Sequence, residues 1–122
     1  MANTEIPIEV TEIARAADDK KAENIVILDV DKLSSLASWF VFCSGGNPRQ
    51  NKTIADDIHD RLPKIKRKPL HVEGSSGDSG WILMDYGDII VHIFLPETRE
   101  FYDLEGLWGD AKRVNVEQII AG

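Results

Sequence analysis

The strongest constraint on the fold is the Gly87-Asp88 pair, which stands between two apolar segments, residues 81–86 and 89–94. Both segments are rich in β-branched and aromatic side chains, which is typical of strands, and a Gly-Asp pair between them predicts a two-residue hairpin turn. Counting outward from this turn sets the pairing register, provided that the loop has two residues and not four. One face of the hairpin is then wholly apolar and should lie on the core. Its pairs are Tyr86 with Ile89, Met84 with Val91, and Ile82 with Ile93.

The second face of the hairpin mixes aromatic and polar side chains. Its pairs are Trp81 with Phe94, Leu83 with His92, and Asp85 with Ile90. An unpaired aspartate is costly in a core, whereas aromatic anchors beside polar groups are typical of a binding surface. Two interpretations stay open. This face is a binding surface, or a helix covers it and Asp85 is satisfied by a backbone donor or an arginine.

The remaining pattern predicts helices and strands that flank the hairpin. Apolar residues recur at helical spacing over residues 8–21, and short β-branched or aromatic runs at 25–28 and 39–43 predict buried strands. Asn47 and Pro48 are a helix start, and Pro63 lies where that helix should end. Residues 69–73 are typical of an edge strand, and residues 74–80 of a loop.

A last helix should begin at Pro96 and end at Gly109, before a short tail from residue 114. Its apolar residues at helical spacing should share one face: Phe101, Leu104, Leu107 and Trp108. The sum is an α/β (α+β) fold, with a mixed sheet of about five strands flanked by helices. A chain of 122 residues is the size of one domain, which we assign to residues 1–122 with a core at about 8–111.

Charge limits the class of partner. The net charge is −7, which weighs against an independent nucleic-acid binder, because phosphate contacts need clustered cations. Five of the 14 basic residues nevertheless lie within residues 61–68, where there is no acid, so nine bases face 21 acids elsewhere. An acidic body of this kind attracts cationic partners such as ribosomal proteins, although it also serves plain solubility.

The location that we expect is the cytoplasm. A single cysteine, Cys43, cannot form an intrachain disulfide, which suits a reducing compartment, and its apolar neighbours predict an inert core thiol. No apolar run is long enough to cross a membrane. Residues 1–5 lack the basic and apolar segments of a signal peptide.

Signals of catalysis are weak. The three histidines and the cysteine lack zinc-ligand spacing, and there is no P-loop or dinucleotide motif, so we predict no metal site and no cofactor. Asp29 and Asp31 after a strand could hold magnesium, and Ser44-Gly45-Gly46 could cradle a phosphate, but such strings are common in turns. We therefore predict a protein that is not an enzyme, and keep a magnesium-dependent enzyme as the alternative.

The residues also carry a family resemblance. The segment Trp81-Ile82-Leu83-Met84-Asp85-Tyr86-Gly87-Asp88-Ile89-Ile90-Val91-His92-Ile93-Phe94 closely resembles the signature of the ribosomal silencing factor family, also called the Iojap family. The match continues through Arg99-Glu100-Phe101-Tyr102-Asp103-Leu104-Glu105 and Leu107-Trp108, and upstream through Asp29-Val30, Ser38-Trp39-Phe40-Val41, Ser44-Gly45, Arg49 and Ile54-Ala55-Asp56. It spans about residues 8–111.

The resemblance implies a fold related to nucleotidyltransferases without their catalytic apparatus. It implies binding to ribosomal protein L fourteen on the intersubunit face of the large ribosomal subunit, which would block association with the small subunit and repress translation under nutrient limitation. It also implies that homodimers can form, and that a role in large-subunit biogenesis is an alternative.

The resemblance further implies that the tryptophan of the hairpin, Trp81, binds the partner. This agrees with the mixed face derived from the register, so the expected partner-binding residues include the whole of that face. Arg99 and Tyr102 could join it from the next helix, although Arg99 and Asp103 could equally form a local i, i+4 pair. Tyr86 is placed at the edge of the same surface, although the register points it to the core. The expected residues are Trp81, Leu83, Asp85, Tyr86, His92, Phe94, Arg99 and Tyr102.

The basic run Lys64-Ile65-Lys66-Arg67-Lys68 departs from what the family leads us to expect of this linker. Contact with ribosomal RNA beside the protein site is one interpretation, and a solvated loop is the other.

Overall fold

The computed structural model describes residues 6–75 and 80–121. Residues 1–5, 76–79 and 122 are outside this range, and residues 76–79 belong to the predicted loop. The elements in chain order are α1 (Ile8–Asp19), β1 (Glu23–Asp29), β2 (Trp39–Ser44), α2 (Pro48–Arg61), a 3₁₀ turn (Leu62–Ile65), β3 (His71–Glu73), β4 (Trp81–Asp85), β5 (Ile89–Phe94), α3 (Pro96–Tyr102), α4 (Leu104–Leu107), β6 (Lys112–Arg113) and α5 (Val116–Ala121). No helix in the described part of the chain could span a membrane.

The strands form one mixed sheet in the order β3-β4-β5-β2-β1-β6. The β2 and β5 strands run parallel at its centre, and the other neighbours are antiparallel. The mixed α/β fold is confirmed, with six strands where about five were expected. The sixth is the two-residue β6, which is too short to show any hydrophobic period.

The hairpin of β4 and β5 has the predicted register. Trp81 pairs with Phe94, Leu83 with His92, and Asp85 with Ile90. The two-residue turn is closed by the amide of Tyr86, which donates to the carbonyl oxygen of Ile89 at 2.9 Å. Gly87 supplies the positive φ of 92° that this turn requires.

The first face of the sheet lies on the main core. The apolar stripe of α1 and that of α2 are buried against it, and α5 packs beside α1. The helix start at Asn47 is confirmed, because its side-chain oxygen accepts the amide hydrogen of Gln50 at 2.9 Å. The helix ends at Arg61, where the 3₁₀ turn that contains Pro63 follows. The hairpin residues predicted to lie on the core are all buried: Ile82, Met84, Tyr86, Ile89, Val91 and Ile93.

The helix expected from Pro96 to Gly109 is wrong as a single element. Asp103 has a φ of +44° and separates α3 from α4, whose first turn it caps by accepting the amide hydrogen of Gly106 at 3.2 Å. This break resets the helical phase, so the four apolar residues do not share a face. Leu104 and Trp108 pack on the second face of the sheet, whereas Phe101 is 80% exposed and Leu107 is 75% exposed.

Candidate interaction surface

The second face of the sheet carries a layer of stacked rings. His92 stacks on Phe42 with ring centroids 4.9 Å apart and on Phe94 at 5.9 Å, and Phe40 meets His92 edge-on. Trp108 from the segment after α4 covers Phe40 at 5.1 Å. We call Phe40, Phe42, His92, Phe94 and Trp108 the aromatic layer. Its rings fix one another by stacked and edge-to-face contacts, so the layer forms a rigid base.

His92 in this layer positions Trp81. The indole Nε1–H of Trp81 donates to Nδ1 of His92 at 3.2 Å, which requires a neutral imidazole with its proton on Nε2. His92 is only 6% exposed, and this burial lowers its pKa to about 4. The imidazole therefore stays neutral at physiological pH and remains an acceptor for the indole.

The same pKa predicts acid sensitivity of the fold. The unfolded chain binds a proton at His92 near pH 6.5, whereas the folded chain resists protonation down to about pH 4. Acid therefore favours the unfolded state, and His92 should cost about 2 to 3 kcal/mol of folding free energy as the pH falls through this window. Urea unfolding of the wild type and of His92→Gln from pH 7.5 to 4 measures it. Carboxylates titrate in both proteins, so parallel stability profiles would contradict the prediction.

Trp81 lies at the rim of the layer, where it is partly exposed. Its ring centroid is 5.0 Å from that of Phe94 and 5.1 Å from that of Tyr102, and Phe101 contacts Tyr102 edge-on at 5.0 Å. Tyr102 is 49% exposed and Phe101 is 80% exposed. We call Trp81, Tyr102 and Phe101 the aromatic row. It runs from the packed sheet to solvent, as expected of a docking surface that is formed before its partner arrives.

The expected binding residues on the mixed face of the hairpin differ in exposure. Trp81, Leu83 and Asp85 share the second face and are partly exposed, whereas His92 and Phe94, beside them on β5, are buried on the same face. Asp85 is satisfied by a backbone donor, the amide of Gly87 at 2.7 Å, as one interpretation of the sequence required. Helical cover of this face is partial, because α4 and Trp108 reach the aromatic layer and leave Trp81 at the rim.

Tyr86 is not at the edge of this surface. It belongs to the opposite face of the sheet, packs in the main core and is 4% exposed. The placement of Tyr86 at the edge of this surface is therefore wrong, and the hairpin register already pointed its side chain to the core. Side chains alternate along a strand, and Tyr86 is an odd number of residues from Trp81.

Arg99 is a support of the surface and does not pair with Asp103. Its Nε donates to Glu105 at 2.6 Å, and its other nitrogens donate to Ser44 Oγ at 3.0 Å and to the carbonyl oxygen of Asn24 at 2.7 Å. These bonds tie α3 to α4, which contains Glu105, and to the strands β1 and β2. Arg99 thereby holds the part of α3 that carries Phe101 and Tyr102.

Phe101 is the surface residue that the sequence interpretation missed. The helical period placed it on one face together with Leu104, Leu107 and Trp108. The signal that could have found it is Asp103, since aspartate is one of the few residues that tolerate the left-handed conformation and also cap helices well. With a helix break predicted at Asp103, Phe101 and Leu104 would belong to different helices and would not be expected to share a face.

The Ser44-Gly45-Gly46 segment, a weak candidate for phosphate binding, already has its polar groups bonded within the fold. Ser44 is 2% exposed and accepts from Arg99, while the amides of Gly45 and Gly46 donate to the side chains of Asn51 at 2.9 Å and Gln50 at 2.7 Å. The described residues contain no group of three or more His, Cys, Asp or Glu that could hold a metal ion. Cys43 is buried, and this raises the pKa of its thiol to about 12, as expected of an inert core cysteine.

Similarly, Asp29 and Asp31 belong to a turn. Asp29 accepts the amide hydrogen of Asp31 at 3.1 Å, and Asp31 accepts the hydroxyl hydrogen of Ser38 at 2.9 Å. Such bonds are what Asp supplies in loops, where it caps backbone amides. Both carboxylates therefore have a structural explanation in this fold.

A six-stranded mixed sheet flanked by helices, with a partly exposed aromatic row on its second face, defines a small α/β domain. A family model described as "Ribosomal silencing factor during starvation" matches residues 3–121. The "Ribosomal silencing factor RsfS" of Bacillus subtilis (strain 168) is 38% identical over 104 residues, which are 85% of this chain and 87% of that protein. A crystal structure of a Chromobacterium violaceum protein has a TM-score of 0.81 at 36% identity and covers 87% of this chain and 88% of its own. The chain therefore belongs to the ribosomal silencing factor family.

Organellar proteins share the domain. "Protein Iojap, chloroplastic" of Zea mays is 33% identical over 104 residues, which are 85% of this chain and 45% of that protein. A mouse protein named "Mitochondrial assembly of ribosomal large subunit protein 1" is 29% identical over 92 residues, which are 73% of this chain and 40% of its own length. In both, this domain matches less than half of a longer protein.

Proposed function

We propose that this protein binds ribosomal protein L fourteen on the large ribosomal subunit and sterically blocks association with the small subunit, which represses translation under nutrient limitation. Its place of action is the cytoplasm. The observation that supports a docking surface is the aromatic row, in which a partly exposed tryptophan is oriented by a partly buried hydrogen bond to His92. Membership of the family supports the ribosome as the target.

The geometry of Trp81 suits an interface anchor. Its indole is already oriented by His92 and by the rings of Phe94 and Tyr102, so little conformational entropy is lost when a partner covers it. Tryptophan and tyrosine are enriched among residues that dominate binding energy. The net charge of −7 also favours a basic ribosomal protein over bare RNA as the main contact.

A steric block needs no catalytic group. A domain that occupies part of the intersubunit face must be displaced before the small subunit can dock, so the fraction of joined ribosomes falls by mass action. Repression then depends on the affinity and the concentration of this protein.

Sucrose-gradient sedimentation of purified subunits tests the proposal. With this protein in modest molar excess, we expect it to travel with the large subunit and the peak of joined ribosomes to shrink. If it remains at the top of the gradient and the subunits join normally, the proposed function is wrong.

Phe101→Ser should weaken binding to the large subunit by about five- to tenfold, because the substitution removes one exposed ring of the aromatic row. Phe101 is 80% exposed, so the midpoint of urea unfolding should not move. The matched control is Ile8→Ser, since Ile8 is 59% exposed on α1, which packs on the opposite face of the sheet. Equal affinities of the two variants would remove Phe101 from the surface.

A role in large-subunit biogenesis is the second candidate, favoured by the name of the mouse relative. The same docking surface would serve either role, so the two functions must be distinguished by an experiment in cells. In a strain that lacks this protein, silencing predicts normal subunits during growth and failure to reduce translation on starvation. Biogenesis predicts that immature large subunits accumulate during growth.

A further inference from the structure

The segment between α2 and β3 is the one basic stretch of an acidic chain. Residues 61–68 hold five basic residues and no acid. Two of the five, Arg61 and Arg67, are neutralised within the fold. Arg61 pairs with Asp19 and, at 3.1 Å, with Asp57, while Arg67 pairs with Glu9 at 2.9 Å and Asp88 at 2.5 Å. The arginines therefore brace the segment against α1, α2 and the hairpin turn.

The three lysines of the segment have the opposite arrangement. Lys64, Lys66 and Lys68 are exposed, and within residues 6–75 and 80–121 none of them has an ion pair or a side-chain hydrogen bond. Carboxylates outnumber basic residues strongly in the rest of the chain. The nearby carboxylates therefore pair with the two arginines, and the three lysine ammonium groups face solvent. We call these three residues the lysine patch.

The backbone presents the patch in a fixed shape. The amide of Lys66 donates to the carbonyl oxygen of Pro63 and that of Arg67 to Leu62, both at 2.9 Å, which closes the 3₁₀ turn. Lys66 itself is in the left-handed region with a φ of +66°, where glycine or asparagine is favoured. The turn and this left-handed residue fix the course of the backbone that carries the three lysines.

The patch adjoins the hairpin. An Arg67 nitrogen donates to the carbonyl oxygen of Tyr86 at 2.8 Å, and the amide of Leu70 donates to that of Asp85 at 2.7 Å. The segment is therefore fixed at the turn end of the strand that carries Trp81 at its other end. Because Arg67 also pairs with Glu9 of α1, the patch lies beyond the turn end of the hairpin, toward the α1 side of the sheet and outside the docking surface.

We propose that the lysine patch contacts the phosphate backbone of ribosomal RNA that flanks the protein site on the large subunit. This inference rests on the proposed function. Ribosomal proteins are largely basic and repel ammonium groups, so the anionic surface available to the patch is RNA. Because the rest of the chain repels RNA, the contact is local, and it adds a salt-dependent part of the affinity while it orients the bound domain.

Salt dependence of binding tests the contact. The variant Lys64→Gln/Lys66→Gly/Lys68→Gln removes three charges, and glycine at residue 66 relieves the left-handed conformation, so the fold should be retained. Each lost phosphate contact should make the slope of log K against log salt shallower by about 0.7 to 0.9. For binding to intact large subunits, we expect a slope shallower by about 2 and an affinity at low salt at least about tenfold weaker.

The control variant is Lys20→Gln/Lys32→Gln/Lys52→Gln, which makes the same change in net charge at exposed lysines elsewhere. It should keep the wild-type slope. The patch variant should also bind isolated ribosomal protein L fourteen as tightly as the wild type. A wild-type slope for the patch variant on subunits, or an equal loss of binding to the isolated protein, would overturn the RNA contact. If the wild type binds neither target, the proposed function fails and this inference falls with it.

Discussion

Arg99→Met should lower the free energy of unfolding by about 3 kcal/mol. The side chain of Arg99 is 11% exposed, and that of Glu105, its partner at 2.6 Å, is 21% exposed. Removal of the guanidinium leaves the largely buried Glu105 with only the distant, exposed Arg113 as a counter-charge. It also deprives Ser44 Oγ and the carbonyl oxygen of Asn24 of a donor. Breaking one side of such a pair costs about 3 to 5 kcal/mol, and we take the lower value because Glu105 keeps some contact with water.

Urea denaturation measures this loss of stability, and two further variants test its cause. Arg113→Met removes an arginine that is 3.9 Å from the same Glu105 but 66% exposed, so its expected cost is below about 1 kcal/mol. Arg99→Lys should recover only part of the stability, because an ammonium cannot reproduce three directed bonds of a planar guanidinium. Equal costs for Arg99→Met and Arg113→Met would show that Arg99 does not hold α3 and α4 on the sheet.

Features set by residues close together in the chain could be predicted from the sequence. The turn at Gly87-Asp88 determines five strand pairs by counting, because side-chain alternation leaves no freedom once the loop length is known. The start of α2 follows similarly from Asn47 and Pro48, whose capping geometry is local. The mixed face of the hairpin therefore came from the sequence with its pairing correct.

The parts that could not be predicted depend on distant residues. Arg99 has its bonds to Ser44 and Asn24, 55 and 75 positions away, and no spacing rule indicates such partners. The left-handed Asp103 competes with a helical period that continues on both sides of it, and tertiary contact decides the outcome. Exposure of Phe101 follows from that break, so the helical period alone could not predict the outermost ring of the aromatic row.

Trp81→Ala should weaken binding to the large subunit by at least about 30-fold, which corresponds to about 2 kcal/mol. The indole is the only ring of the row that both contacts the aromatic layer and reaches the surface. Its removal takes away the ring that a partner would cover and also the neighbour that orients Tyr102. Binding is measured by co-sedimentation with large subunits over a range of protein concentration.

Trp81 also contributes to the fold, so the binding loss must be separated from unfolding. Trp81→Phe keeps a ring against Phe94 but leaves Nδ1 of His92 without the indole donor, so its affinity should fall between those of the wild type and Trp81→Ala. Ile8→Ala, an exposed apolar truncation on the other side of the sheet, should bind as the wild type does. All proteins are compared at a temperature where urea unfolding shows each to be folded. If folded Trp81→Ala binds the subunit normally, the partner does not cover Trp81, and the docking surface must lie elsewhere on the domain.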